Sequence, residues 1–149
     1  MQHLKRLLVI VVFLVVVLQL AACGADEGPD KIEPAHVEEI EGSEFNLVTL
    51  TEKAAERLGI QSEPTREEEM DGAMKMVVPY SAVIYGLHGE TWAYVRNPGP
   101  GSLTFVRHPI TVEYIDGGLA ILEDGPPVGT EVVTVGAQML YGTDTGVGK

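Results

Sequence analysis

The sequence predicts a mostly β fold, namely a single small domain resembling a β-barrel or sandwich with one short helix, placed after a signal peptide and a disordered tether. From residue 45 onward, apolar residues occur in short runs separated by Gly, Pro, Asn and Asp, which is typical of short strands joined by turns. Only Glu52–Leu58 is rich in good helix formers. The length of 149 residues allows one domain with a tail and excludes two full domains.

The first 22 residues have the pattern of a processing signal. Lys5 and Arg6 precede an apolar run over residues 7–20, which is too short to cross a bilayer of about 30 Å. The following Leu-Ala-Ala-Cys at residues 20–23 resembles the lipobox of bacterial lipoproteins, and Cys23 is the only Cys in the chain. We therefore predict cleavage after residue 22, and a diacylglyceryl group and palmitate on Cys23. The alternative is an uncleaved N-terminal anchor with an incidental Cys.

A lipidated Cys23 predicts an extracytoplasmic protein attached to the cell membrane or the outer membrane, because two acyl chains suffice for stable anchoring. Residues 23–43 are predicted to be a disordered tether, since residues 24–43 carry seven acids, one Lys and no aromatic residue. The tether would hold the domain off the membrane or act as a solubilising tail. The net charge of −12 argues against nucleic acid as a partner, because phosphate binding needs clustered bases.

The folded domain is predicted to cover residues 44–142, beginning with a strand over residues 45–50. Thr51 is a candidate N-cap for the short helix and Gly59 its stop signal. A second strand is predicted over residues 60–65, and the acidic residues 66–72 are predicted to be a loop.

The remaining elements are strands punctuated by turns, with residues 143–149 as a loose tail. Residues 82–85 and 91–96 are predicted to form a hairpin around Gly86-Leu87-His88-Gly89. Pro109 breaks the long run of residues 103–115, as suits an edge strand or a bulge. The other predicted strands are residues 74–79, 119–122 and 131–135, and the predicted turns and loops are residues 97–101, 116–118 and 124–129.

Two stretches of this pattern, residues 48–64 and 77–142, resemble one family. They contain Pro-Tyr-Ser-Ala-Val at residues 79–83, Thr-Trp-Ala-Tyr-Val at residues 91–95, a Phe-x-x-x-x-Ile-x-Val run from Phe105, and Gly-x-x-Val-Val-x-x-Gly at residues 129–136. In order and spacing they look like the membrane-proximal region of periplasmic adaptor subunits, or membrane fusion proteins, of resistance–nodulation–division efflux pumps, with the heavy-metal branch the most similar.

The chain departs from this family in one large respect. A full adaptor inserts a β-barrel, a lipoyl-like module and usually a helical hairpin between its two membrane-proximal segments, whereas only residues 66–75 separate them here. The inserted modules build the conduit, so the resemblance implies docking on a transporter or a full-length adaptor, or its regulation, and not conduction.

Three methionines, Met70, Met74 and Met76, are the candidate metal ligands, because thioethers select soft ions such as Cu(I) and Ag(I). The family resemblance also implies methionine ligation of monovalent copper or silver. The alternative is that Met76 packs in the core while Met70 and Met74 are incidental loop residues. No other cofactor is expected.

Catalysis has no support in the sequence, and we expect no enzyme activity. The chain contains no Gly-x-Ser-x-Gly elbow and no P-loop, and its sole Cys is the predicted lipidation site. His36, His88 and His108 lack the spacing of a zinc site, so each is expected to be solvated.

Recognition is expected at loops, which carry most binding residues. The candidate docking residues lie in two of them: Asn97, Pro98 and Gly99 in one, and Pro127 and Val128 in the other. Trp92 and Tyr94 share one face of a strand and either belong to the core or anchor a partner.

The leading functional expectation is therefore a lipid-anchored, non-enzymatic accessory protein that docks on a membrane transporter or adaptor and supports transmembrane transport. The alternative is a free-standing lipoprotein that binds a soft metal ion or a small ligand. A third reading is a remnant of an adaptor without a transport role.

Overall fold

The computed structural model of the chain describes residues 33–97 and 103–146. The predicted signal peptide, Cys23, residues 23–32 of the predicted tether, Pro98 and Gly99 lie outside these residues. None of the helices in the described part is long and apolar enough to cross a membrane.

The described residues form strands with two short α-helices, which confirms the mostly β prediction. The helices are α1 (Glu52–Leu58) and α2 (Ala137–Thr145), and Tyr80–Ala82 forms a single 3₁₀ turn. The strands are β1 (Ala35–Glu39), β2 (Asn46–Leu50), β3 (Gln61–Pro64), β4 (Arg66–Met70), β5 (Ala73–Pro79), β6 (Ile84–Tyr85), β7 (Thr91–Arg96), β8 (Thr104–Pro109), β9 (Thr111–Asp116), β10 (Leu119–Asp124) and β11 (Glu131–Val135).

The strands form two antiparallel sheets. The first sheet has the order β1-β2-β8-β7-β11-β3, with β6 also paired to β7, and the second has the order β4-β5-β10-β9. The sheets do not close into a barrel, so the sandwich-like form of the prediction is right and the barrel form is wrong. Pro109 explains the break between the sheets, because it ends β8 in the first sheet just before the chain enters β9 in the second.

The centre of the first sheet is buried on both faces. Tyr94 of β7 packs with Phe105 and Leu140 in a cluster that also includes residues of both helices. Ala93 and Val95, which alternate with Tyr94 along β7, pack in a second cluster with residues of the second sheet such as Val78 and Leu122. The alternation predicted for β7 is therefore confirmed, and both of its faces are core.

The predicted caps of α1 are confirmed. The N–H of Ala54 donates to the Thr51 hydroxyl oxygen at 3.2 Å, which satisfies one of the free donors at the helix start. Gly59 ends the helix with φ of 62°, and its N–H donates to the Glu56 carbonyl at 3.1 Å.

The prediction that residues 23–43 are all disordered is wrong for residues 35–39, which form β1. This strand pairs with β2 in the register His36↔Thr49 and Val37↔Val48. Ala35 and Val37 alternate with exposed residues and pack against the core of the first sheet. Two apolar residues at this spacing are enough to form an edge strand when a neighbouring strand, here β2, offers a free edge, although the segment as a whole is acidic.

The acidic segment predicted as a loop over residues 66–72 is instead strand β4 and a tight turn. β4 pairs with β5 from Arg66↔Val77 to Met70↔Ala73, which leaves Asp71 and Gly72 as a two-residue connection. Both have positive φ, 52° for Asp71 and 80° for Gly72, as a type I′ hairpin turn requires.

The structure also differs from the prediction at the chain end. Residues 143–149 were predicted to be a loose tail, and only one helix, at residues 52–58, was expected. Residues 137–145 form α2, which begins after Gly136, a residue with φ of 86°. The helix buries Leu140 and Asp144 against the first sheet, and Asp144 has polar partners on β2, β7 and β8. These distant partners stabilise a segment whose local sequence, with Gly142 in its interior, is a weak helix former.

Candidate functional site

An open groove of about 760 Å³ lies where the chain passes from the first sheet to the second. Two hydrogen bonds hold this corner in place. The Ile110 N–H donates to the Thr91 carbonyl at 3.0 Å, and the Thr91 hydroxyl donates to the Ile110 carbonyl at 2.6 Å. The end of β8 and the start of β9 are thereby fixed against the start of β7.

Side chains from four separate stretches of the chain line this groove, which we call the corner groove. About half of its exposed wall is apolar or aromatic, and two carboxylates, Glu44 and Glu90, lie among the apolar residues. The described lining residues include no Lys, Arg or His. They are Glu44, Phe45, Tyr85, Gly89, Glu90, Thr91, Trp92, Pro109, Ile110, Thr111, Val112 and Ile115.

Trp92 is held by two neighbours that do not line the groove. Its ring stacks on Tyr141 of α2 at a centroid distance of 6.1 Å and an interplanar angle of 25°. The Arg107 guanidinium lies 5.1 Å from the Trp92 ring centroid and 5.2 Å from that of Phe45. Cation–π attraction of this kind orients both aromatic residues of the wall.

Arg107 is itself fixed by a buried carboxylate. Its Nε lies 2.7 Å from Oδ2 of Asp144, whose side chain is 0% exposed. This contact is an ion pair, because the N–H direction does not meet hydrogen-bond geometry. The Tyr94 hydroxyl donates to Asp144 Oδ2 at 2.7 Å, and the Asn46 side-chain amide donates to Oδ1 at 2.9 Å. A buried charge needs such partners, so α2 supports the groove through Asp144.

Exposed apolar side chains line the corner groove or lie in the hairpin that forms part of its wall. Tyr85 is 49% exposed, and its ring makes an edge-to-face contact with that of Tyr80 at 6.4 Å. Leu87, at the tip of the β6–β7 hairpin, is 95% exposed, and Ile115 of β9 is 42% exposed. Apolar residues gathered at one place on a surface are typical of an interaction site.

Glu90 is positioned by the same hairpin. The backbone N–H of His88 donates to its carboxylate at 3.0 Å. Hydrogen bonds from its own backbone N–H and from that of His88 lower the pKa of Glu90, so it is ionised at neutral pH. The groove therefore combines aromatic walls with a fixed negative charge.

Tyr94 supplies a pH-dependent test of the network behind the groove. Burial, and then the hydrogen bond to the Asp144 carboxylate, raises the pKa of Tyr94 far above its usual range. The folded chain keeps this proton, whereas the unfolded chain releases it above about pH 10. The contribution of Tyr94 to stability is thus complete below about pH 10 and decreases as the pH rises towards the raised pKa.

We expect the free energy of unfolding to fall above about pH 10 by about 1.4 kcal/mol per pH unit more steeply in the wild-type chain than in Tyr94→Phe. Urea unfolding followed by circular dichroism at pH 8, 10 and 11 measures this difference in slope. Parallel pH profiles of the two proteins would contradict the assignment of Tyr94 as the buried proton carrier.

The three candidate metal ligands do not converge. In the β4–β5 hairpin Met74 lies opposite Glu69, whereas Met70 lies opposite Ala73. Because side chains alternate across a sheet, Met74 and Met76 share one face and Met70 lies on the other. Met74 is 61% exposed and Met76 is partly buried against the core between the sheets. Soft-metal binding by Met70, Met74 and Met76 stays a prediction, and the structure places Met70 on the face opposite to the other two.

The histidines are likewise dispersed. His36 Nε2 lies 3.4 Å from Glu38 on the exposed face of β1, and Nδ1 of His108 lies 2.7 Å from the Pro109 carbonyl oxygen. In residues 33–97 and 103–146, no group of three or more His, Cys, Asp or Glu side chains is arranged to hold a metal ion.

The described docking candidates Asn97, Pro127 and Val128 lie near one another. The antiparallel pair Val132↔Val95 places the end of β7 beside the start of β11. The loop that carries Pro127 and Val128 is pinned to Thr65, whose carbonyl accepts from Gly129 N–H at 2.7 Å. Val128 is 54% exposed. This loop surface is about 17 Å from the corner groove along β7, since four residues of the strand separate Asn97 from the lining residue Trp92.

Comparison with protein-family models, curated protein sequences and solved structures finds no match to this chain. The resemblance to adaptor subunits therefore depends on the sequence motifs alone and stays a prediction, as does the docking role of the loop surface.

Proposed function

We propose that this protein is a lipid-anchored, extracytoplasmic accessory protein that docks on a protein component of a membrane transport complex through the corner groove. The observation that carries the proposal is the exposure of Tyr85 and Ile115, which line the groove, and of Leu87 in the adjoining hairpin, beside a fixed aromatic wall. The Leu-Ala-Ala-Cys pattern ending at Cys23 supports the anchor, and the order of motifs over residues 48–142 supports the transport complex as the setting.

A docking role suits the residue types and their rigidity. Tyr and Trp dominate binding energies at protein interfaces, most of all where their surroundings exclude water. Trp92 contacts both Tyr141 and Arg107, and Tyr85 contacts Tyr80, so little side-chain freedom is lost when a partner binds. The proposed role is one of binding, without a chemical step.

The volume of the groove supports a second candidate, a small ligand. About 760 Å³ is within the range of small-molecule sites, and the acidic wall favours a cationic ligand. Small-molecule sites bury most of their ligand, whereas this groove is open to solvent, which favours a protein partner.

Site-specific photocrosslinking in membranes tests the docking proposal. A photoreactive amino acid is placed in the full chain at Leu87 beside the groove, at Val128 on the loop surface, or at Met139, an exposed position on α2. We expect Leu87 to crosslink a membrane transporter or an adaptor, and Met139 to give no such product.

The crosslinking pattern separates the two surfaces. Products from Val128 alone would move the docking site to the loop surface and overturn the role of the corner groove. Absence of a protein product from both Leu87 and Val128, at normal levels of lipidated protein, would overturn docking, and the small-ligand candidate would then take precedence.

A further inference from the structure

We propose that the corner groove accepts an extended, basic segment of the partner protein, which adds as a further strand to the free edge of β9. This inference rests on the proposed docking function and specifies the chemistry of the partner. It follows from the position of β9 in its sheet, from the walls of the groove and from the charge of the lining residues.

β9 is the terminal strand of the second sheet. Within the described part of the chain it pairs with β10 alone, through contacts such as Tyr114↔Ile121 and Asp116↔Leu119. Thr111, Val112 and Ile115 of β9 line the groove. An edge strand has unpaired backbone donors and acceptors along its free side, and these can hydrogen-bond to an added strand.

The other edge strands are less suited to this role. β4 carries Glu67, Glu68 and Glu69 in succession, a charged edge of the kind that discourages pairing. β3 has only four residues and ends at Pro64. β1 ends in Glu38 and Glu39, and the acidic turn that follows it lacks aromatic lining. β9 differs from these strands because its free edge borders aromatic walls.

The charge of the groove determines the chemistry of the added segment. Glu44 and Glu90 line the groove, and none of the described lining residues is basic. Side chains of an extended segment alternate between two faces, so basic residues can reach the carboxylates while apolar residues pack on Tyr85, Trp92 and Ile115. A basic group beside Tyr85 or Trp92 also gains cation–π attraction. Since β9 has six residues, a segment that pairs along its whole length needs about six.

Trp92 makes this inference directly measurable, because it is the only Trp of the chain and lines the groove. The probe is a capped seven-residue peptide of alternating Lys and Val, titrated into the full lipidated chain in a non-ionic detergent. We expect a saturable change in Trp92 emission. A matched peptide with Glu in place of Lys should bind at least about tenfold more weakly, because its charge repels the two carboxylates.

A third peptide tests the backbone contacts. It keeps the Lys and Val side chains but is N-methylated at alternate residues, which removes the amide donors along one edge. We expect it to bind about tenfold more weakly than the unmodified peptide, since strand addition depends on these hydrogen bonds. Equal binding by both peptides would overturn strand addition.

Protein variants locate the binding edge. The double variant Glu44→Gln and Glu90→Gln removes two charges from the groove and keeps an acceptor where His88 N–H is bound, and it should weaken peptide binding about tenfold. The matched control, Glu67→Gln and Glu69→Gln, removes two charges from the β4 edge and should leave binding within about twofold of wild type. Equal losses in both double variants would show attraction by net charge alone and overturn the inference.

The peptide and crosslinking experiments test separate claims, so a negative result in one does not require a negative result in the other. Protein products from Leu87 in membranes, together with no binding of the Lys-Val peptide, would overturn strand addition and leave docking in place. Peptide binding without any crosslinked protein would overturn the proposed transport-complex partner, while the specificity of the groove for an extended basic segment would stand.

Discussion

Replacement of Asp144 by Ala is expected to lower the free energy of unfolding by about 3–5 kcal/mol, which is the usual cost when one partner of a buried ion pair is removed. Arg107 would keep its charge with no carboxylate beside it, although its side chain is only 12% exposed. The Tyr94 hydroxyl and the Asn46 amide would lose the same acceptor. A domain of this size has little stability in reserve, so the variant would be largely unfolded at moderate temperature.

Urea unfolding of the full chain measures this loss, with Glu56→Ala as the control because it removes an exposed carboxylate from α1. The control should change stability by less than about 0.5 kcal/mol. Replacement of both Asp144 and Arg107 by Leu should recover part of the loss, since no buried charge would then be unpaired. A loss below about 1 kcal/mol in Asp144→Ala would show that α2 is not stabilised by this network.

Local sequence was sufficient for the elements that are determined by local chemistry. Thr51 and Gly59 delimit α1 because a hydroxyl cap and a left-handed residue act within one helical turn. The β6–β7 hairpin and the turn between β9 and β10 were predicted because both connections are short and contain two Gly residues. The alternation of Trp92, Ala93 and Tyr94 indicated a strand with two distinct faces, and both faces are core.

Local sequence was insufficient where a distant partner decides the conformation. β1 depends on pairing with β2, and its acidic composition concealed the apolar alternation of Ala35 and Val37. β4 is a strand because β5 offers an edge, and only the Asp71-Gly72 turn could have indicated it. α2 depends on contacts of Asp144 with residues up to 98 positions earlier in the chain. No window of neighbouring residues contains these interactions.

The corner groove was also missed, although the sequence analysis singled out Trp92 as a core residue or an anchor. Its lining comes from residues 44–45, 85, 89–92, 109–112 and 115, and no linear motif links these stretches. Pro109 was the available signal, because a Pro inside a long apolar run marks the place where a strand leaves its sheet. The three methionines do not come together because side chains alternate between the two faces of a sheet, and Met70 and Met74 lie on opposite faces of the β4–β5 hairpin.

Substitution of Gly86 by Ala is expected to displace Trp92 and to reduce crosslinking from Leu87, while lowering stability by about 1–3 kcal/mol. A Cβ atom at Gly86 would lie 2.6 Å from Cη2 of Trp92 and 2.5 Å from Oε2 of Glu90. The φ of Gly86 is not positive, so the effect is one of space and not of backbone conformation. Trp92 has little room to yield, because its ring stacks on Tyr141 and also contacts Arg107.

Trp92 emission and urea unfolding measure the two effects of Gly86→Ala, and a second substitution identifies their cause. Trp92→Phe removes the outer benzene ring atoms that a Cβ at Gly86 would meet. If the clash is the cause, the double variant Gly86→Ala and Trp92→Phe should be more stable than the sum of the single losses predicts, by about 1 kcal/mol. Strict additivity would show that Gly86 does not position Trp92. Restored crosslinking from Leu87 in the double variant would further show that docking depends on the space around residue 92 and not on the indole itself.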